Sequence, residues 1–297
     1  MNDKKAQSVE DITIEISQND VEVDEPFIRK EIIGLSLDNV IGNAETKKIL
    51  RDTILNPRYN QARSFIPMDP WIMLLLGPPN CGKGFFVNAI ASELGAPIFN
   101  FRSDDVTTSI RIGGNEHEKF LEEALKLDKS IICFEDMENM VEKENPSLEK
   151  YEFLQKVFDR VTSSNRQGGF NILICIVSRP DILEHLGYML PLSFQTIYFG
   201  PPDMEEREEF LRRRLDGRLL GGETYLKAIA SKTENYSYRD LSRICMEIDS
   251  YCDERAGVGH YFEMKPDDIG TILDKIPATI DSKSLDRYTE FLKLVKL

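Results

Sequence analysis

Met73-Leu-Leu-Leu-Gly-Pro-Pro-Asn-Cys-Gly-Lys-Gly84, continued by Phe85-Phe-Val-Asn-Ala-Ile90, is the stretch whose reading decides the fold. An apolar run of strand length meets a tight glycine turn, and the turn opens into a helical pattern. The spacing Gly77-x4-Gly82-Lys83 is that of a phosphate-binding P-loop. In such a loop, successive backbone N–H groups and a helix N-terminus form an anion nest, and the lysine supplies the matching charge. The residue after the lysine is expected to be Ser or Thr, whose hydroxyl holds Mg²⁺; here it is Gly84. The competing reading is a glycine-rich strand–helix turn that binds nothing.

Working outward, Phe86, Ile90 and Leu94 lie four apart on one helical face, and Gly95 stands where a left-handed C-cap is expected. Strands are expected at Ile72–Leu76, Pro97–Phe101, Ser130–Asp136, Ile172–Val177 and Thr196–Phe199, alternating with helices. Strands that are apolar throughout and alternate with helices predict a parallel sheet buried on both faces, with ligands at the carboxyl ends of its strands. The glycine loop, the carboxylates Glu135 and Asp136, and the turn at 178–181 all fall on that edge. On the N-terminal side, Val40-Ile41-Gly42 leads into a helix over about 44–55, followed by a loop carrying Pro57, Pro67 and Pro70.

The chain has 297 residues, 41% of them hydrophobic and 30% charged, which suits an α/β domain with a smaller companion. Residues 1–35 form an acidic arm, partly disordered or a short strand, in which Ile12, Ile14 and Ile16, then Val21 and Val23, alternate with polar residues. The core runs over 36–202 and a helical lid over 203–281. Within the lid, Leu241, Ile244, Cys245, Ile248, Tyr251 and Cys252 form a helical stripe after the cap candidate Ser237. An amphipathic helix spans 282–297. The net charge of −14 opposes a phosphate backbone, so no nucleic-acid partner is expected. No apolar run approaches bilayer length and no hydrophobic signal core stands at the N-terminus, so no membrane partner is expected and the expected location is cytoplasmic. The five cysteines include no C-x-x-C pair and read as reduced thiols. Cys81, at the tip of the loop, is either a redox gate or an inert thiol.

The strand ending Phe134-Glu135-Asp136 pairs with the loop in function: bound metal needs a nearby carboxylate, and hydrolysis needs a group to orient or deprotonate water. A solvated acidic pair is the other reading. At this point the sequence resembles the AAA family of P-loop ATPases. The resemblance rests on Val40-Ile-Gly42, Gly77-Pro-Pro-Asn-Cys-Gly-Lys83, Phe134-Glu-Asp-Met-Glu-Asn-Met140 and Ser178-Arg-Pro-Asp181. Pro201-Pro-Asp203, Thr233-Glu-Asn-Tyr-Ser237 and Met264-Lys-Pro-Asp-Asp-Ile269 extend it to the C-terminus.

The fold class this resemblance implies is α/β. It consists of a P-loop NTPase three-layer α/β/α core with a parallel five-stranded sheet, then a small helical lid, with nucleotide bound between them at a subunit interface. The implied cofactor is ATP or ADP. Its binding residues would be Val40, Ile41 and Gly42 around the adenine, then Gly77, Pro78, Pro79, Asn80, Cys81, Gly82, Lys83, Gly84 and Phe85. Arg239 would be either a lid-borne sensor or a solvent-exposed arginine. Glu135 takes the metal-side position, directly or through water. Asp136 takes that of the water-activating glutamate, and Ser178 that of the sensor asparagine. The implied partners are other protein subunits, in a hexameric ring or a hetero-oligomer, and a protein client.

Four departures weigh against fast chemistry. Gly84 offers no hydroxyl, so Mg²⁺ is weakly held; the acidic pair is inverted; Ser178 is short; and 182–199 contains no arginine to complete a like neighbour's site. A threading loop would carry an aromatic near Ile110 or Arg111 in Thr107–Gly113, and neither position is aromatic. Three functions therefore stand: a nucleotide-binding regulatory or remodelling subunit with weak or absent hydrolysis, an active ATPase that drives protein remodelling, and a scaffold without nucleotide.

Overall fold

The computed structural model describes residues 14–15, 27–55, 71–140, 147–179, 194–215, 222–256 and 265–295. The proline loop at 57–70, most of the N-terminal alternation, Pro180-Asp181 and the arginine-free stretch through 193 lie outside the described residues. Contacts divide the chain into two compact units. One gathers Gly200–Asp286 together with Pro78–Gly82; the other gathers Ile12–Gly77, Lys83–Phe199 and Arg287–Leu297.

The larger unit holds strands β1 (Ile14–Glu15), β2 (Ile28–Ile32), β3 (Ile72–Leu76), β4 (Ile98–Arg102), β5 (Lys129–Glu135), β6 (Phe170–Val177) and β7 (Gln195–Tyr198) in one sheet of order β1-β2-β4-β5-β6-β3-β7. The five strands β4, β5, β6, β3 and β7 run parallel, and β2 adds antiparallel to β4 with Ile28 opposite Asn100. All five residues of β3 are buried, as are seven consecutive residues of β6. Burial of successive residues, whose side chains point to opposite faces, requires cover on both faces. Phe99, Phe101 and Phe134 share one face with Phe120 and Phe153, and Phe101 stacks on Phe134 at 4.9 Å. The structure therefore extends the five expected parallel strands by two antiparallel ones at an edge.

The helices of this unit are α1 (Ala44–Thr53), α2 (Lys83–Leu94), α3 (Ser103–Arg111), α4 (Glu116–Lys126) and α5 (Leu148–Arg166). Most of the Thr107–Gly113 segment, read from sequence as a loop, is helical. The cause is local: Asp104 and Asp105 favour the start of a helix, Arg102 closes on Asp105 at 2.7 Å, and Thr107 Oγ donates to Ser103 O. The helix stops at Gly113, φ +71, where Gly114 N–H caps Ser109 O at 2.9 Å.

The smaller unit is helical: α6 (Met204–Arg214), α7 (Gly222–Lys232), α8 (Tyr238–Ala256) and α9 (Pro266–Lys275). The sequence stripe on α8 packs as its spacing requires, with Leu241, Ile244, Cys245, Ile248 and Cys252 buried among Leu211, Ile229, Ile269 and Ile272. Two buried polar groups fix the connections. Asp240 accepts hydrogen bonds from the Ser237 and Thr279 hydroxyls and from both their backbone N–H groups. Arg207 donates to Pro202 O and Ala230 O. Helix α10 (Ser282–Val295) follows. All five cysteines are free and buried, and burial pushes the Cys175 and Cys245 thiols up to about 12.

Candidate functional site

The carboxyl edge of the parallel sheet assembles the site, because parallel register brings the ends of β3, β5, β6 and β7 to one level. Leu76 lies opposite both Val177 and Tyr198, and Glu135 lies opposite Arg102. The residues that leave these strands are Gly77, Asp136 and Ser178.

Gly77 is glycine for a packing reason, whatever the loop binds. Its φ is +151, and a Cβ there would lie 1.9 Å from Phe199 O. Its N–H donates to Val177 O at 3.2 Å, while Phe199 N–H donates to Leu76 O at 2.7 Å. The chain thus threads between its two neighbours with no room for a side chain. Lys83, the first residue of α2, is buried and donates from Nζ to Gly77 O at 2.5 Å. A cation held inside the protein carries a desolvation cost, which a bound anion would offset. Gly84 is different. It is exposed, and a Cβ added there meets nothing within 4 Å. Sterics do not explain its missing side chain.

At the end of β5, Glu135 is half-buried and Asp136 exposed. Asp136 sits in the left-handed region, φ 52, and opens a short 3₁₀ turn over Met137–Asn139. Its carbonyl accepts from Ser103 Oγ at 2.8 Å. The turn sends Glu138 inward, only 5% exposed, where both its oxygens accept from Ser178 N–H at 3.2 Å. Burial raises the Glu138 carboxyl above the ordinary carboxylate range, against the lowering effect of the Ser178 amide and Arg179. Arg179 donates to Asn139 Oδ1 at 2.9 Å, completing a link between the two strand exits.

The segment just before the proposed adenine residues is tied to α2. Leu35 N–H donates to Ser92 Oγ and Leu37 N–H to Glu93 Oε1, and Arg51 bridges Asp38 and Glu93. Val40 is buried, Gly42 has φ +75, and Lys47 Nζ donates to Val40 O at 2.7 Å.

In the helical unit, the loop tip Pro78–Gly82 bends through Asn80 at φ 63 and Gly82 at φ +93. The buried Cys81 thiol donates to Pro79 O at 3.7 Å. Tyr238 lies against this tip: a Cβ on Gly82 would touch its ring at 3.6 Å, and the ring packs on Phe210 at 5.4 Å. Burial raises the Tyr238 hydroxyl, so it stays neutral. Its neighbour Arg239, the residue singled out from sequence, is exposed.

Sequence reasoning missed Glu138, Tyr238 and Tyr288. Glu138 lay inside the quoted acidic stretch, three residues after Glu135, and a helical turn there was the available signal. Tyr288 Oη donates to Ser178 O at 2.5 Å across 110 residues, a contact without local signature. Among the described residues, no group of three or more His, Cys, Asp or Glu side chains forms a metal cage.

Residues 73–188 match the family model described as ATPase family associated with various cellular activities (AAA). The chain is similar to the ATP-dependent zinc metalloprotease FtsH 2 of Alkaliphilus metalliredigens (strain QYMF), 27% identical over 72% of this chain and 32% of that protein. It is also similar to the katanin p60 ATPase-containing subunit A1 of Arabidopsis thaliana, 24% identical over 87% of this chain and 54% of that protein. The chain spans roughly a third of the length of the FtsH relatives it matches. Among solved structures, the FIGL-1 AAA domain in complex with ADP superposes with a TM-score of 0.67 at 20% identity, over 91% of this chain and 93% of that one.

Proposed function

We propose that the chain, whose residues 73–188 match the AAA family model, is an AAA-type module that binds ATP or ADP and turns it over slowly or not at all. The observation that carries this reading is the contrast across one peptide bond. Lys83 is buried with its Nζ on the loop carbonyl, whereas Gly84 beside it is bare in open space. The side chain that would grip phosphate is present, and the hydroxyl that would grip the metal is not.

The 77–84 loop, with Lys83 and the following Phe85, would hold the phosphates, with Val40, Ile41 and Gly42 around the base. Mg²⁺, when bound, supplies charge neutralisation on the phosphates, and Glu135 would reach it through water. The loss of one charge-assisted contact at Gly84 weakens metal affinity by about 1–3 kcal/mol. Asp136 is one methylene shorter than the glutamate expected in its position, and a misplacement of ~1 Å costs roughly a hundredfold in rate. Its left-handed backbone, pinned by Ser103, limits how far it can be re-aimed.

The chain's likeness to a solved katanin structure that concerns self-assembly supports the proposal of an oligomeric module. In the proposed assembly a different chain supplies the arginine, and the module serves as a nucleotide-conditioned structural, remodelling or regulatory subunit. No helix among the described residues is long and apolar enough to cross a membrane, and we assign the module to the cytoplasm. The experiment is the fate of pre-bound ATP: a stable, stoichiometric complex supports the reading, and rapid phosphate release or no complex removes it.

A further inference from the structure

Ser178, at the exit of β6, has its backbone gripped from two directions. Its N–H donates to both carboxylate oxygens of Glu138 at 3.2 Å, and its carbonyl accepts from Tyr288 Oη at 2.5 Å. Tyr288 comes from α10 and is 1% exposed. The same ring packs against Tyr198 of β7, with centroids 5.9 Å apart. In the sheet, β6 and β7 are the two neighbours of β3, the strand that leads into the phosphate loop. One buried side chain therefore holds the ends of both strands that flank the loop-bearing one.

A serine is shorter than an asparagine, so its hydroxyl can serve a bound nucleotide only where its backbone is set in the right place. A hydroxyl aimed before the ligand arrives avoids reorganisation at the moment of contact. We propose that Tyr288, acting with Glu138, is a positioning residue that fixes the Ser178 peptide so that the Ser178 hydroxyl distinguishes nucleoside triphosphate from diphosphate. The inference rests on the nucleotide-binding reading above. It gives α10 a role beyond covering apolar surface: whatever binds or displaces this helix alters how the site reads the terminal phosphate. Glu138 supports the arrangement from the other side, since its buried carboxyl is matched to the Ser178 amide and Arg179.

The test is a double-mutant cycle on the full chain, with Ser178→Ala, Tyr288→Phe and both together. The readout is the ratio of the Kd values for ADP and a slowly hydrolysed ATP analogue, ATPγS. Tyr288→Phe keeps the ring and its packing and removes only the hydroxyl. It is expected to reduce the preference for ATPγS by about three- to tenfold, the worth of one hydrogen bond. In the Ser178→Ala background it should change nothing further. An unchanged ratio in Tyr288→Phe, or full additivity with Ser178→Ala, overturns the proposal. So does a Tyr288→Phe protein whose melting temperature falls while the ratio stays fixed, the mark of a structural role alone. Failure of the wild-type protein to bind either nucleotide sinks the underlying site reading, and the proposal falls with it.

Discussion

Restoring a hydroxyl after the loop lysine is the perturbation whose outcome the structure constrains most closely. Gly84 is the second residue of α2, is exposed, and has nothing within 4 Å of an added Cβ, so Gly84→Thr fits without displacing a neighbour. On folding, the change replaces the poorest non-proline helix residue by an ordinary one, a gain of a few tenths of a kcal/mol. On binding, the new hydroxyl adds one metal-side contact of about 1–3 kcal/mol. At 1.4 kcal/mol per decade that is roughly 5- to 150-fold in ATP affinity, and only in the presence of Mg²⁺. Calorimetric titration of ATP into both proteins, once with excess Mg²⁺ and once with EDTA, reads this directly. The reasoning fails if Gly84→Thr leaves the Mg²⁺-dependent affinity unchanged, or tightens binding equally in EDTA.

Two further outcomes follow from other residues. Gly77→Ala drives a Cβ to 1.9 Å from Phe199 O at a φ of +151, and is expected to cost more than ~3 kcal/mol. Thermal melting would show this even without nucleotide, and a melting temperature close to wild type would refute the packing account. Glu138→Gln removes a buried charge while keeping an oxygen for the Ser178 amide. Because burial raises the Glu138 pKa above its ordinary 4.5, the native state holds that proton more readily than the unfolded chain. Its stabilising contribution is complete below that value and fades as pH rises through the elevated one. The stability gain of Glu138→Gln should therefore be widest near neutral pH and close as pH falls toward 4.5; melting temperatures measured from acidic to neutral pH check this.

The parallel strands and the loop were legible in the sequence because both are local patterns: unbroken apolar runs, and glycines at fixed offsets from a lysine. Strand β2 was harder, since it is a five-residue edge strand carrying Arg29, Lys30 and Glu31, with only Ile32 buried. The segment after β4 reads as a loop because the family resemblance places a threading loop there, whereas Asp104 and Asp105 in the first turn and Arg111 in the last favour a helix. In the lid, the residue lying against the loop tip stands next to the one singled out from sequence, and Arg239 is exposed, one of its two expected states. An arginine was the chemically expressive candidate, yet it is the tyrosine ring that lies against Gly82. Gly77 shows the converse lesson. Its sequence reading was tied to phosphate, but its contact with Phe199 would demand glycine in a nucleotide-free scaffold too. That leaves Lys83 as the residue whose presence argues most specifically for an anion.

The central claim, grip without rapid cutting, is tested most directly by a single-turnover measurement on the purified full chain. Excess protein is mixed with γ-labelled ATP and Mg²⁺, and bound ATP and free phosphate are followed together. The account predicts that a stoichiometric complex forms and keeps its label for far longer than a typical enzymatic turnover, whose median rate is ~10 s⁻¹. A burst of phosphate at such a rate, or no retained nucleotide at all, would contradict it.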